Sequence, residues 1–149
     1  MLNQNEQAPA WLTAVPVVGC LHVPALPGAP ANRLNFQEIR DFVRRDAAVY
    51  AEFGIDALIL ENFGDTPFYP DRVPPQTVAF LSALACDVHS RFPLPLGINV
   101  LRNDGEAALA VAAAADAALI RVNVYTGARV ADQGILQGRA HEIQRLKRS

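Results

Sequence analysis

The stretch LIRVNV, Leu119 to Val124, has the β-branched and aliphatic content of a strand, yet Arg121 sits near its middle and Asn123 follows two places later. A charged side chain inside an apolar run fits two arrangements. A solvated edge strand would turn Arg121 into water, whereas a strand buried on one face would turn it into a polar site on the other. Side chains alternate faces along a strand. Ile120, Val122 and Val124 form one wholly apolar face suited to packing on helices, while Leu119, Arg121 and Asn123 grow polar toward the carboxyl end.

The same gradient recurs along the chain. ALILEN ends in Glu61 and Asn62, INVLRND carries Asn99, Arg102 and Asn103, and GCLH ends in His22. Solvated edges do not explain four coincident polar strand ends. A parallel α/β architecture does, because its ligand sites gather at the carboxyl ends of the strands. A buried arginine without a partner is costly, so Arg121 must meet an acid or an anionic ligand. Glu61 is the nearest internal candidate, and a guanidinium fork also suits an external carboxylate or phosphate.

The segments between these ends read as helices. VPVVGCLH (Val15 to His22) is a strand closed by the proline-rich loop VPALPGAPANR. Asn35 caps a helix over FQEIRDFVRRDAAVYAEFG, with Glu38 as its capping-box partner and Gly54 as its stop. Phe36, Ile39, Phe42, Val43 and Tyr50 recur at helical spacing. IDALILEN is the second strand, followed by the loop FGDTPFYPDRVPP and a helix from about Pro75 to Arg91 with Val78, Leu81, Ala85 and Val88 on one face. LPLGINV, the loop LRNDG and the helix EAALAVAAAA form a third unit. AALIRVNV, the loop YTGARVADQG and the basic-ended helix ILQGRAHEIQRLKRS form a fourth. Strand starts roughly 25 to 40 residues apart require crossover helices and hence parallel strands. A closed (β/α)8 barrel needs ~250 residues, so this sequence supplies about half of one, or else a small open sheet.

Composition narrows the classes further. The 149 residues are 51% hydrophobic and 19% charged, which suits one globular domain with its own core. A net charge of −2 gives no pull toward nucleic acid or an anionic membrane. The start MLNQNEQAPAW lacks the basic and apolar regions of a signal peptide, and AALAVAAAADAALI, broken by Asp116, is too weak for a transmembrane segment. Cys20 and Cys86 lie in apolar segments without zinc spacing and are expected as reduced core residues of a cytoplasmic protein. Trp11 is expected to serve packing.

Several polar residues also have plain structural readings. His22 can cap a loop beside Pro24, Asn62, Asn99 and Asn103 can serve turns, and Asp65 can start the turn in NFGDTP. Asp132 and Gln133 in ADQG can cap the last helix.

The segments VGCLHVPALPGAP, DALILENFGDTPF, LGINVLRND and LIRVNVYTGARVADQGILQGRAHE together resemble the BtpA family, over nearly all of the chain after residue 14. The resemblance implies a (β/α)8 TIM barrel of the ribulose-phosphate-binding type. It divides the chain into a polar lead, residues 1–14, and a half-barrel domain, residues 15–149, truncated after the fourth βα unit. The second half would hold the loops after the seventh and eighth strands, where such barrels usually seat a phosphate. The family takes its name from thylakoid biogenesis, where a member supports accumulation of photosystem I; other members sit among sugar- or nucleoside-related genes.

The first functional expectation is an enzyme of small anionic metabolites, phosphorylated or carboxylated, of isomerase, aldolase or hydrolase type, once the missing half is supplied. Glu61 and His22 are the candidate proton carriers. Asn62, Asp65, Asn99, Arg102, Asn103, Arg121, Asn123, Asp132 and Gln133 are the candidate substrate-binding residues, with Arg121 and Arg102 on the anion. No cofactor is expected; three acids on separate loops, Glu61, Asp65 and Asp132, give a weak divalent-metal signal. No GxGxxG or Walker-type loop is present. The second expectation is a non-catalytic assembly scaffold, and the third a truncated product without activity of its own. A homo-oligomer or the C-terminal half is the expected macromolecular partner. The expected place is the cytoplasm, or the membrane periphery in photosynthetic members.

Overall fold

A computed structural model describes residues 15–147. The polar lead, Trp11 included, and residues 148–149 lie outside the described residues. Strands β1 (Val18–His22), β2 (Ala57–Glu61), β3 (Leu96–Asn99) and β4 (Leu119–Arg121) form one sheet in the order β1-β2-β3-β4, every neighbouring pair parallel. Helices α1 (Phe36–Glu52), α2 (Pro75–Arg91) and α3 (Gly105–Ala114) are the crossovers, and α4 (Ala140–Leu146) closes the fourth unit. This is an α/β arrangement of βα units, consistent with part of a TIM-barrel-like fold.

Local chemistry sets the boundaries. Asn35 accepts from the Glu38 backbone amide at 3.0 Å while Glu38 accepts from the Asn35 amide at 2.8 Å, so α1 starts on a complete capping box. Past its end the chain turns at Gly54, whose φ of +70° suits glycine. Pro75 opens α2 at a position that needs no amide donor, and Asp104 caps α3 by accepting from Ala107 N at 2.9 Å.

The register separates the two faces of the sheet. Leu21, Leu58, Leu60, Leu96, Ile98 and Ile120 share one face and pack with Ile39, Val43 and Ala47 of α1 and with Leu81, Leu84, Ala85 and Val88 of α2. Each fully buried leucine or isoleucine contributes about 1.5–3 kcal/mol. Cys20, Ile59, Gly97 and Leu119 form a row on the opposite face, and His22, Glu61, Asn99 and Arg121 form the next row toward the carboxyl ends. Gly97 is closely packed in the lower row: a Cβ there would lie 2.7 Å from Leu119 Cδ1 and 3.3 Å from Ile59 Cγ1.

The structure corrects the sequence reading in four places. β4 ends at Arg121, so Val122 to Val124 lie beyond the strand. The segment expected as a loop after it contains an antiparallel hairpin, β5 (Ala128–Ala131) with β6 (Gly134–Gln137), and α4 begins only at Ala140. Ala131 pairs with Gly134, which leaves Asp132 and Gln133 as a two-residue turn rather than a helix cap; a glycine at φ +103° follows. Finally, Cys86 is exposed on α2 and Cys20 is only partly buried, so neither is a core residue; both thiols are free.

Candidate functional site

The site is built on the row His22, Glu61, Asn99 and Arg121, which the parallel register sets side by side on consecutive strands. Glu61 is 4% exposed and Asn99 1%, so the two central strands bury their polar residues while the two outer ones present theirs. Arg121 donates from Nη1 to Glu61 Oε1 at 2.5 Å, and His22 Nε2 lies 3.9 Å from Glu61 Oε2. Both oxygens of one buried carboxylate therefore face a nitrogen base. Asn99 donates to the Arg121 carbonyl at 3.2 Å and to Asn123 Oδ1 at 3.0 Å, which ties Asn123 to the row even though it lies past the strand end.

One wall of the site is aromatic. The His22 imidazole stacks on Phe63, with centroids 4.3 Å apart, and Phe63 meets Phe68 at 6.5 Å. The guanidinium of Arg102 lies over Phe68, 5.9 Å from its centroid, and makes no ion pair among the described residues. Its Nε is buried without a hydrogen-bond partner. A line of four rings and planes thus runs from the imidazole to a second cation. Phe63 and Phe68 were not among the sequence candidates; their signal was the pair of aromatics bracketing GDTP in the loop after β2.

Other candidates hold the loops. Asn62 accepts from Leu101 N at 2.7 Å and donates to Asp65 Oδ2 at 3.1 Å, and Asp65 accepts from Leu26 N at 2.8 Å. Together they clamp the loops after β1, β2 and β3. Burial raises the Asp65 carboxyl above its usual range, against the lowering effect of the Leu26 amide and of Asn62. Burial likewise raises the Cys20 thiol, with the Glu61 charge adding to it and Arg121 opposing. Asn103 is saturated by backbone: it accepts from Val124 N at 2.8 Å and donates to the carbonyls of Val124 and Gln137 at 3.1 Å. It ties the β3–α3 loop to the hairpin.

Asp132 and Gln133 stand at the hairpin turn, where they line a cavity of about 440 Å³ with Thr66, Pro67, Phe68 and Pro70. A second cavity of about 350 Å³, between the loops after β1 and β2, includes Asp65, Phe68, Tyr69 and Thr77. Phe68 lines both. Glu61, Asp65 and Asp132 do not come together as metal ligands: among the described residues no group of three or more His, Cys, Asp or Glu side chains could hold a metal ion. No helix among them is long and apolar enough to cross a membrane.

Comparison with known proteins shows what the sequence is similar to. A sequence model described as the BtpA family matches residues 13–149. An uncharacterized protein of Pyrococcus horikoshii is 47% identical over 132 residues, covering 89% of this chain and 51% of that protein. The photosystem I biogenesis protein BtpA of Synechocystis is 39% identical over 133 residues, 89% of this chain and 46% of its own length. An uncharacterized mitochondrial protein of Caenorhabditis elegans is 39% identical over 139 residues, 89% of this chain and 50% of its own. The chain thus spans about half the length of the curated relatives it matches. No solved structure matches it.

Proposed function

The chain belongs to the BtpA family, and from that membership and the geometry of the polar row we propose that it forms half of a (β/α)8-barrel site for a small anionic metabolite, a phosphorylated sugar or nucleoside. The observation that carries the reading is the in-register row His22, Glu61, Asn99, Arg121 at the carboxyl ends of four parallel strands. The Arg121 side chain is 54% exposed and uses one nitrogen on Glu61, so its remaining donors are free for an anion. Arg102, lying over the face of Phe68, is the second cation. His22 carries the proton: its ring is exposed, positioned by the Phe63 stack, and backed by the Glu61 carboxylate. A second set of four βα units, from a C-terminal half or from a second copy, completes the barrel.

The test is titration of the purified chain with inorganic phosphate at low ionic strength. Binding is expected in the wild type and in Arg129→Ala, whose residue lies on the exposed hairpin, and its loss in Arg121→Ala. Equal affinity of Arg121→Ala and wild type would remove the anion role.

A second reading, a non-catalytic assembly factor, is favoured by one feature, and the Synechocystis relative is named a photosystem I biogenesis protein. Val130 and Ile135 are directly paired across the hairpin and are 88% and 71% exposed, an apolar face suited to another protein.

A further inference from the structure

Asn99 is 1% exposed, and its amide orientation is fixed. Nδ2 donates to the Arg121 backbone carbonyl, which can only accept, so the other end of the amide must be the oxygen. Asn123 takes the second proton of Nδ2. That leaves Oδ1 buried with no hydrogen-bond partner. A buried acceptor without a donor is destabilising, and native structures leave few of them.

Its surroundings say how it becomes reachable. Neighbouring strands lie about 4.8 Å apart. To reach Glu61 on β2, the Arg121 guanidinium must cross β3, and the β3 residue in that register is Asn99. The ion pair therefore lies across the residue that carries the unpartnered oxygen. Of the three side chains, Glu61 and Asn99 are buried, whereas Arg121 is long and half in water. It is the one free to move.

We infer that Asn99 Oδ1 accepts a hydrogen bond from a hydroxyl of the bound ligand, so that the ligand class is a hydroxylated anion rather than a bare phosphate or an alkyl phosphate. The inference rests on the anion-binding reading of Arg121. An incoming anion draws the guanidinium off Glu61; this uncovers the oxygen, and a hydroxyl near the anionic group donates to it. Glu61, released from Arg121, is then left facing His22. A site with a buried acceptor discriminates strongly against an analogue that lacks the donor, because the oxygen is then left unpaired. Asn99 is on this account the specificity residue of the row, and Arg121 both its anion ligand and its cover.

The experiment uses the full 149-residue chain and three probes: inorganic phosphate, glycerol 3-phosphate, and propyl phosphate, which has the same carbon chain without hydroxyls. Affinities are read by NMR titration, and the Asn99 side-chain amide signal is followed in the same spectra. Glycerol 3-phosphate is expected to bind about tenfold more tightly than propyl phosphate, the size of one hydrogen bond. It should also shift the Asn99 amide signal where propyl phosphate does not. In Asn99→Leu the ratio of the two affinities should fall to near one; if that variant does not fold, the wild-type ratio and the amide signal decide. Equal binding of the two esters by the wild type, or an Asn99 signal indifferent to both, overturns the inference while phosphate binding leaves the anion site standing. If none of the three probes binds, the anion site itself is wrong and this inference falls with it.

Discussion

Arg121, with half of its side chain in water on β4, places Nη1 2.5 Å from Oε1 of Glu61, which is almost wholly buried on β2. The asymmetry decides how the pair responds to mutation. Glu61 bears the desolvation, so losing Arg121 leaves an acid facing only His22, whereas losing Glu61 frees a cation that water already reaches. Arg121→Met is expected to cost about 1–3 kcal/mol, less than the ~3–5 kcal/mol of a fully buried pair because Arg121 is half solvated. Glu61→Gln should cost less than that. A double-mutant cycle read by urea unfolding checks it; additive single mutants would mean that the pair carries no coupling.

The glycines should rank by what surrounds them. At Gly64 a Cβ would lie 2.2 Å from Ala25 N and 2.6 Å from Pro24 C, both backbone atoms of the loop that follows His22. Neither side can yield, so Gly64→Ala should cost about 3 kcal/mol or more and displace that loop. At Gly97 the nearest atom is the end of the Leu119 side chain, which can rotate, so Gly97→Ala should cost about 1–2 kcal/mol. Gly54 has open space but a φ of +70°, and Gly54→Ala should cost about 1 kcal/mol from backbone strain alone. Thermal midpoints in the order Gly54→Ala, Gly97→Ala, Gly64→Ala, from highest to lowest, are the expected outcome.

Much of this architecture was legible because single rules acted alone. The capping box of α1, the Pro75 start of α2 and the apolar strands each follow from local sequence. The polar row was visible for the same reason: strand alternation puts His22, Glu61, Asn99 and Arg121 at matching positions once the strands are parallel. The hairpin was not read, because ARVA and GILQ are short, one is half alanine, and Asp-Gln-Gly also resembles the start of a helix. The β4 boundary was missed for a tertiary reason. Asn103 takes the Val124 amide that a longer strand would have used. Asn62 and Asn103 carried both a turn reading and a ligand reading, because polar groups at strand ends serve loops and ligands alike; the backbone partners that tie them to loops are distant in sequence. Cys86 looked buried because α2 is apolar on several sides.

Acid stability should depend on Asp87. Arg44 donates to it twice, Nε at 2.7 Å and Nη2 at 2.6 Å, and Arg91 adds a contact at 3.1 Å. The bond from Arg44 is the main cause that holds the Asp87 carboxyl below its usual range. An unfolded aspartate ionises near pH ~3.9. With a lower folded value, the stabilisation is fully present above the unfolded value and is lost as pH falls through the folded one. Asp87→Asn should therefore be less stable than wild type at neutral pH, and the gap should close below pH ~4. Urea midpoints measured across that range test the sign; a gap that widens in acid would contradict it.

The chain by itself is expected to associate. β1 and β4 are the outer strands of the four-stranded sheet, so one edge of each has no strand partner among the described residues. Open edges accept other strands, and closing a barrel is the arrangement that removes them. The face carrying the polar row also has apolar neighbours below it: Ile59 and Leu119 meet over Gly97, with Cys20 alongside. Among the described residues, the core residues of α1 and α2 pack on the opposite face. Covering such surface is worth about 25 cal/mol per Å², so a few hundred Å² approaches the stability of a whole domain. Two copies meeting edge to edge would pair β1 of one with β4 of the other, twice, and would bury both rows inside an eight-stranded closure. Light scattering on the purified 149-residue chain at micromolar concentration should therefore give a dimer or larger species. Lys substitutions at Val18 and Leu119, which face that interior, should shift it toward monomer and lower its stability together. A compact monomer with a single cooperative unfolding transition would show that the four units are sufficient alone, and that this face needs no cover.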